Sequence, residues 1–153
     1  MDIHGNDSGG ILYRRTQIGW VLIVGLGLAQ VTMLAAYMTM RTEALLGGLV
    51  MFVLLELAFS SMTVTVTRMD VTVAFAWGFI RKQVPLADVT DVRAVRNTWL
   101  MGWGIRYLGT GWMWNVSGLD AVELSLLGGR RFRIGTDQPG KLLDAVRAAI
   151  GQG

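Results

Sequence analysis

No charged residue occurs between Arg15 and Arg41, and from Ile18 to Met40 the chain is almost wholly apolar. A helix rises about 1.5 Å per residue, so roughly 20 residues cross the hydrocarbon core of a bilayer. Ile18–Met40 meets that length, and Ala44–Met62 meets it with one carboxylate, Glu56. The intervening Arg41-Thr42-Glu43 is too short for anything but an antiparallel pair. The expectation is a two-helix transmembrane hairpin, with spans at 18–40 and 44–62 and a turn at 41–43. A disordered cytoplasmic tail at 1–17 precedes it, and a cytoplasmic domain at 63–150 follows it.

Composition agrees. Of the 153 residues 52% are hydrophobic and 16% charged, where a soluble domain usually carries about 25% charge. A cleaved signal peptide has an apolar region of about 7–15 residues; this run is longer, and a second follows at once. Arg14-Arg15 reads as a charge anchor beside a span and not as a twin-arginine signal. All of the 14 Lys/Arg except Arg14, Arg15 and Arg41 follow the second apolar run. The positive-inside bias then places both termini in the cytoplasm, with the turn on the far side of the membrane. Trp20 and Tyr13 near one end, and Tyr37 near the other, suit interfacial belts.

Within the spans, Gly25 and Ala29 form a small-xxx-small pair, and Gly47-Gly48 is a similar feature. Small residues let membrane helices approach closely, either each other or an outside partner. Glu56 is costly at membrane depth unless it is paired, neutralised or snorkelling. Gln30 on the first helix is a candidate partner, and a contact to another subunit, cofactor or lipid is the functional alternative.

From Thr63 the period changes to two. Val64 and Val66 alternate with threonines, and Val71, Val73, Phe75 and Trp77 continue the pattern after a turn at Met69-Asp70. Such alternation predicts half-buried antiparallel strands. Ile80–Val84, 121–126 and Arg131–Ile134 read as further strands, the last two joined by Gly128-Gly129. Asp137 as N-cap and Pro139 in the first turn open a terminal helix. Its apolar stripe is Leu142, Leu143, Val146, Ala149 and Ile150. Seven or eight strands and one such helix predict a small bent sheet or barrel plugged by the helix.

The stretches Pro85–Val89, Gly102–Arg106, Trp114–Gly118 and Arg131–Asp137 with Pro139 resemble bacterial PH-like domains attached to two membrane helices. The resemblance covers about residues 44–150. It implies a membrane α+β protein: the transmembrane hairpin, then a small antiparallel PH-like β-barrel or sandwich with a C-terminal α-helix. It implies little about activity, since this fold hosts many functions.

The chain has no cysteine, and its one histidine, His4, lies in the tail. Thiolate metal sites, disulfides and a cysteine nucleophile are excluded, and Lys82 and Lys141 are the only lysines. Asp88 and Asp91 are close in sequence, but Asp88 belongs to the turn after Pro85. No phosphate-binding glycine loop appears, because Gly25 and Gly27 lie inside a predicted span. The sequons at Asn6 and Asn115 fall in predicted cytoplasmic segments. The reading is a non-enzyme without cofactor or metal.

Two surfaces remain. Trp99, Trp103, Trp112 and Trp114, with Arg106, suit either a protein interface or a membrane boundary, and some of them suit the barrel core. Arg130, Arg131 and Arg133 suit an anionic leaflet, each worth about 1 kcal/mol there, or a solvated strand edge. No aromatic-basic nucleic-acid motif is present. Together these predict a non-catalytic membrane-anchored scaffolding subunit. Its hairpin packs into a larger membrane complex or self-associates, the host machinery being photosynthetic, respiratory, transport or envelope-building. The alternative is a PH-like module sensing anionic lipid or peptide.

Overall fold

The computed structural model describes residues 10–151; His4 and the Asn6 sequon lie outside them. The first described element is a strand, β1 (Tyr13–Ile18), where the sequence predicts tail. Two helices follow, α1 (Trp20–Met40) and α2 (Glu43–Phe59). The chain then returns to β2 (Ser61–Val66), which pairs antiparallel with β1 from Tyr13↔Val66 to Ile18↔Ser61. The whole apolar segment is thus an excursion out of one β-hairpin. It leaves and re-enters at adjacent backbone positions, where the Gly19 N–H donates to the Ser60 carbonyl at 2.7 Å.

The expected two-helix transmembrane hairpin is corrected by these boundaries. Among the described residues one helix, α1, is long and apolar enough to cross a membrane. Its 21 residues reach about 32 Å. The second is shorter, because Ser61 and Met62 already belong to β2 and the helix stops at Phe59. Its 17 residues reach about 26 Å, short of the roughly 30 Å hydrocarbon core. Hydropathy alone joined those strand residues to the helix.

β2 continues through β3 (Asp70–Phe75) and β4 (Ile80–Pro85) into a four-stranded antiparallel sheet ordered β1-β2-β3-β4. The second sheet contains β5 (Val89–Arg96), β6 (Gly104–Tyr107), β7 (Gly111–Asn115), β8 (Asp120–Leu126) and β9 (Arg131–Gly135). Its order is β5-β8-β9-β7-β6, and β7 lies parallel to β9. Helix α3 (Pro139–Ile150) packs across β5 and β8, burying Leu142, Val146 and Ala149. A sandwich domain with a terminal helix is therefore present, although Gln138 and not Asp137 is the helix N-cap.

The period-two valines form the core. Met62, Val64, Val66, Val71, Val73 and Phe75 from the first sheet meet Trp114, Val122, Leu124, Phe132 and Ile134 from the second. An aromatic series ties this core to the excursion. Phe59 at the end of α2 meets Phe75 edge-on at 5.4 Å, Phe75 lies 5.2 Å from Trp114, and Trp114 lies 6.0 Å from Phe132. Offset and edge-on pairs of this kind contribute about 0.5–1.5 kcal/mol each beyond their burial.

The expected alternation through Trp77 is also corrected. The strand stops at Phe75, and Ala76 and Trp77 take left-handed backbone conformations (φ 47° and 55°) in a tight turn. Trp77 points to solvent, not into the core.

At Gly111 the parallel pair is so close that a Cβ would overlap the Arg131 carbonyl. Gly47 in α2 faces open space. Gly111→Ala is expected to destabilise the domain by about 2 kcal/mol or more through forced backbone displacement, and Gly47→Ala to leave it unchanged. Thermal unfolding of the full chain in micelles, followed by circular dichroism, measures both.

Candidate functional site

The sandwich has two unlike ends. One carries the excursion: Ile18 and Ser61 meet there, as do the Phe75–Ile80 turn and Met62. The second sheet is held to this same end by Gln17. Its amide donates to the Gly135 carbonyl at 3.1 Å, and its Oε1 accepts from Ser117 Oγ at 2.7 Å and from the Asp137 N–H at 3.1 Å. Asn115 Nδ2 gathers the neighbouring loops by donating to the Gly102 and Gly118 carbonyls. This end is the base. The opposite, distal end carries Gly111, Leu126 and the β8–β9 turn.

Trp99 and Leu100 lie exposed in a short turn at Trp99–Met101, on the base side of the second sheet. The Trp103 indole N–H is enclosed without a hydrogen-bond partner. The Arg106 guanidinium lies against Gly102, where a Cβ would come within 3.3 Å of it. Trp112 and Trp114 share a strand face yet differ sharply: Trp114 fills the core at 6% exposure, while Trp112 is 47% exposed at the distal end. There it meets Tyr107 edge-on at 5.5 Å. The four tryptophans therefore do not make one surface.

Nor do the three arginines. Arg130 is exposed at the distal turn, but Arg131 and Arg133 turn onto Glu123, whose side chain is 2% exposed. Arg133 clamps Glu123 Oε2 through Nε at 3.1 Å and Nη2 at 2.6 Å, and its Nη1 donates to Asn97 Oδ1 at 2.8 Å. Arg93 from β5 grips the other carboxylate oxygen through Nε at 3.1 Å. Arg131 reaches the same oxygen at 3.6 Å. Burial alone pushes the Glu123 carboxyl up. The hydrogen bonds and charges of Arg133 and Arg93 outweigh it and hold the group below the ordinary glutamate value. One carboxylate thus stitches three strands, and Arg133 is engaged within the second sheet. At about 3.3 Å per residue, Arg131 also lies roughly 13 Å from the base end of its strand, on the side away from α1.

In the excursion, Gln30 Nε2 donates to Glu56 Oε2 at 2.6 Å, so the carboxylate that sequence left open meets a neutral amide on the facing helix. Gly48 packs on Met33, where a Cβ would come within 2.9 Å of its terminal methyl. Gly25 and Gly47 face open space, and Ala29 is half-buried. Only part of the small-residue pattern is therefore used between α1 and α2.

Sequence reasoning missed the outer face of the first sheet. There Arg14, Thr16, Ser61, Thr63 and Thr65 line a groove of about 430 Å³ that opens beside Trp77 at the base. Thr16 and Thr63 hydroxyls bond across it at 2.9 Å. Period-two threonine is the visible signal, since these hydroxyls share the outer face of the sheet. Among the described residues no group of three His, Asp or Glu converges as a metal would need. No family model, curated protein or solved structure matches the chain.

Because the folded-state pKa of Glu123 is depressed, its contribution to stability is present above the ordinary glutamate value and lost as pH falls through the folded one. Glu123→Gln leaves Arg133 without its anion and is expected to cost about 3 kcal/mol at neutral pH. The same variant should flatten the acid limb of the stability profile below about pH 4.5. Unfolding midpoints measured across that range check both effects.

Proposed function

We propose that this protein is a non-catalytic, membrane-anchored interaction module, in which α1 is embedded in a bilayer and the sandwich is held rigidly against its surface. The observation that carries this reading is the joint itself. The excursion is inserted inside a paired hairpin, closed by the Gly19–Ser60 hydrogen bond and by the Phe59–Phe75 contact. A loosely tethered domain needs no such joint. A domain that must present a surface at a fixed height and orientation does.

The distribution of Lys/Arg favours the cytoplasmic side of a bacterial inner membrane for the sandwich. The open flank at Gly25 and the half-buried Ala29 suit lateral packing with another membrane subunit or a second copy of this chain. The PH-like resemblance fits a sandwich closed by a terminal helix. Absence of catalysis is supported by the charge pairing: the most buried acid, Glu123, is saturated by arginines and offers no base to a substrate.

A second reading, anionic headgroup binding, is favoured by the hydroxyl-lined groove, which opens at the base beside Trp77 and carries Arg14 toward its far end. The arginines of the β8–β9 region do not support it, because Arg131 and Arg133 engage Glu123.

Mild-detergent extraction at native expression, followed by size analysis and identification of co-migrating chains, tests the first reading. The expected result is a complex larger than the monomer, lost in Gly25→Leu while circular dichroism stays unchanged. Migration alone as a monomer overturns it. Arg14→Gln should weaken salt-sensitive binding to anionic vesicles if the second reading holds.

A further inference from the structure

We infer that the base of the sandwich carries an aromatic collar that sits in the headgroup–acyl boundary of the same bilayer that holds α1. This rests on the membrane reading of that helix and goes beyond it by assigning a lipid-contacting surface on the sandwich. Three separate elements deliver it. Trp20 opens α1, and its side chain is exposed. The β3–β4 turn presents Trp77 and Phe79, 83% and 90% exposed. The turn after β5 presents Trp99 and Leu100, each 70% exposed.

Their shared location is set by pairing. Phe75 and Ile80, which flank the first turn, pair with each other, and Phe75 also pairs with Met62, one residue into β2 from the end of the excursion. The second turn is anchored through Gly102, whose N–H bonds the Trp99 carbonyl and whose own carbonyl accepts from Asn115. Asn115 immediately precedes Val116, whose carbonyl would lie 3.0 Å from a Cβ on Gly19 at the start of α1.

Large apolar side chains exposed singly need no explanation, but five on the one end of the sandwich from which an apolar helix leaves form a patch of one chemistry. Tryptophan is the residue most suited to this depth, since its ring is apolar and its N–H polar. Trp77 is also held in a left-handed conformation with Ala76 before it. Non-glycine residues adopt that conformation only where the surroundings impose it, and here it aims the indole away from the core. Arg81, exposed just beyond Ile80, places a cation at phosphate height beside the turn. A protein partner could also cover apolar groups, but continuity with the foot of α1 commits this surface to lipid.

The chain lacks cysteine, so a single introduced thiol reports one position. Phe79→Cys, Leu100→Cys, Leu28→Cys in α1 and Met69→Cys at the distal end are each labelled with a nitroxide. The full chains are reconstituted in phosphatidylcholine–phosphatidylglycerol vesicles. Collision with oxygen and with a water-soluble nickel chelate is then measured by power saturation. Labels at 79 and 100 should meet oxygen more and nickel several-fold less than the label at 69. If 79 and 100 are as open to nickel as 69 while 28 is shielded in lipid, the collar is overturned and the membrane reading stands. If 28 is itself open to nickel, the membrane reading falls and the collar with it. Shielding of 79 and 100 from both reagents overturns the collar in favour of a protein contact.

Discussion

The pairing of β1 with β2 is the constraint on which the rest of the structure depends. Ile18 and Ser61 are adjacent in the ladder although the whole excursion separates them in sequence. Closing so long a loop costs chain entropy, but that cost grows only slowly with length. It is offset by the ladder and by burial of Met62, Val64 and Val66 on the core face of β2. Once the hairpin closes, the entry of α1 and the exit of α2 are fixed relative to the sandwich. Gly19 is the residue that permits the approach, since a side chain there would press on the Val116 carbonyl.

That joint gives the domain its polarity. Gln17, one residue before the end of β1, bonds the second sheet and the start of the α3 region, so both sheets share a base. Arg15 adds an ion pair with Asp137 at 2.7 Å; with both side chains well exposed, it helps align the sheets more than it stabilises them. Residues near this base are placed to meet whatever surrounds α1. Residues at the far end are not, and Arg130 and Arg131 belong there. Arg131 and the mid-strand Arg133 answer to Glu123, an acid so enclosed that it needs the cations held against it. Two of the three arginines that read in sequence as a basic patch thus join Arg93 in neutralising one buried charge.

Much of the architecture was legible. The apolar run of α1, the alternating valines of β2 and β3, and the stripe of α3 each repeat with the period of the element they form. Gln30 was legible as one candidate partner of Glu56, but contact to another subunit, cofactor or lipid stayed open until α1 and α2 brought the two together. The β1 strand was not legible: Tyr13–Ile18 has two arginines and no apolar alternation, and it is a strand only because β2 supplies a ladder. The end of α2 was misplaced because Ser61 and Met62 continue the helix's apolar composition while pairing in a sheet. Trp77 was misplaced because the period of β3 runs through it, although Gly78 beside it marked a turn.

By itself the sequence determined which segments are apolar and with what period, because burial and membrane insertion act on local composition. It also determined, through its lack of cysteine and its single histidine outside the described residues, which chemistries the described domain lacks. Only the tertiary structure decided which of the exposed aromatics gather at the base and which arginines are spent on Glu123. Those outcomes depend on pairings between residues tens of positions apart, Gln17 with Gly135 and Arg93 with Glu123 among them. Local pattern carries no record of such partners, since each side chain is equally at home in many surroundings until the ladder sets its neighbours.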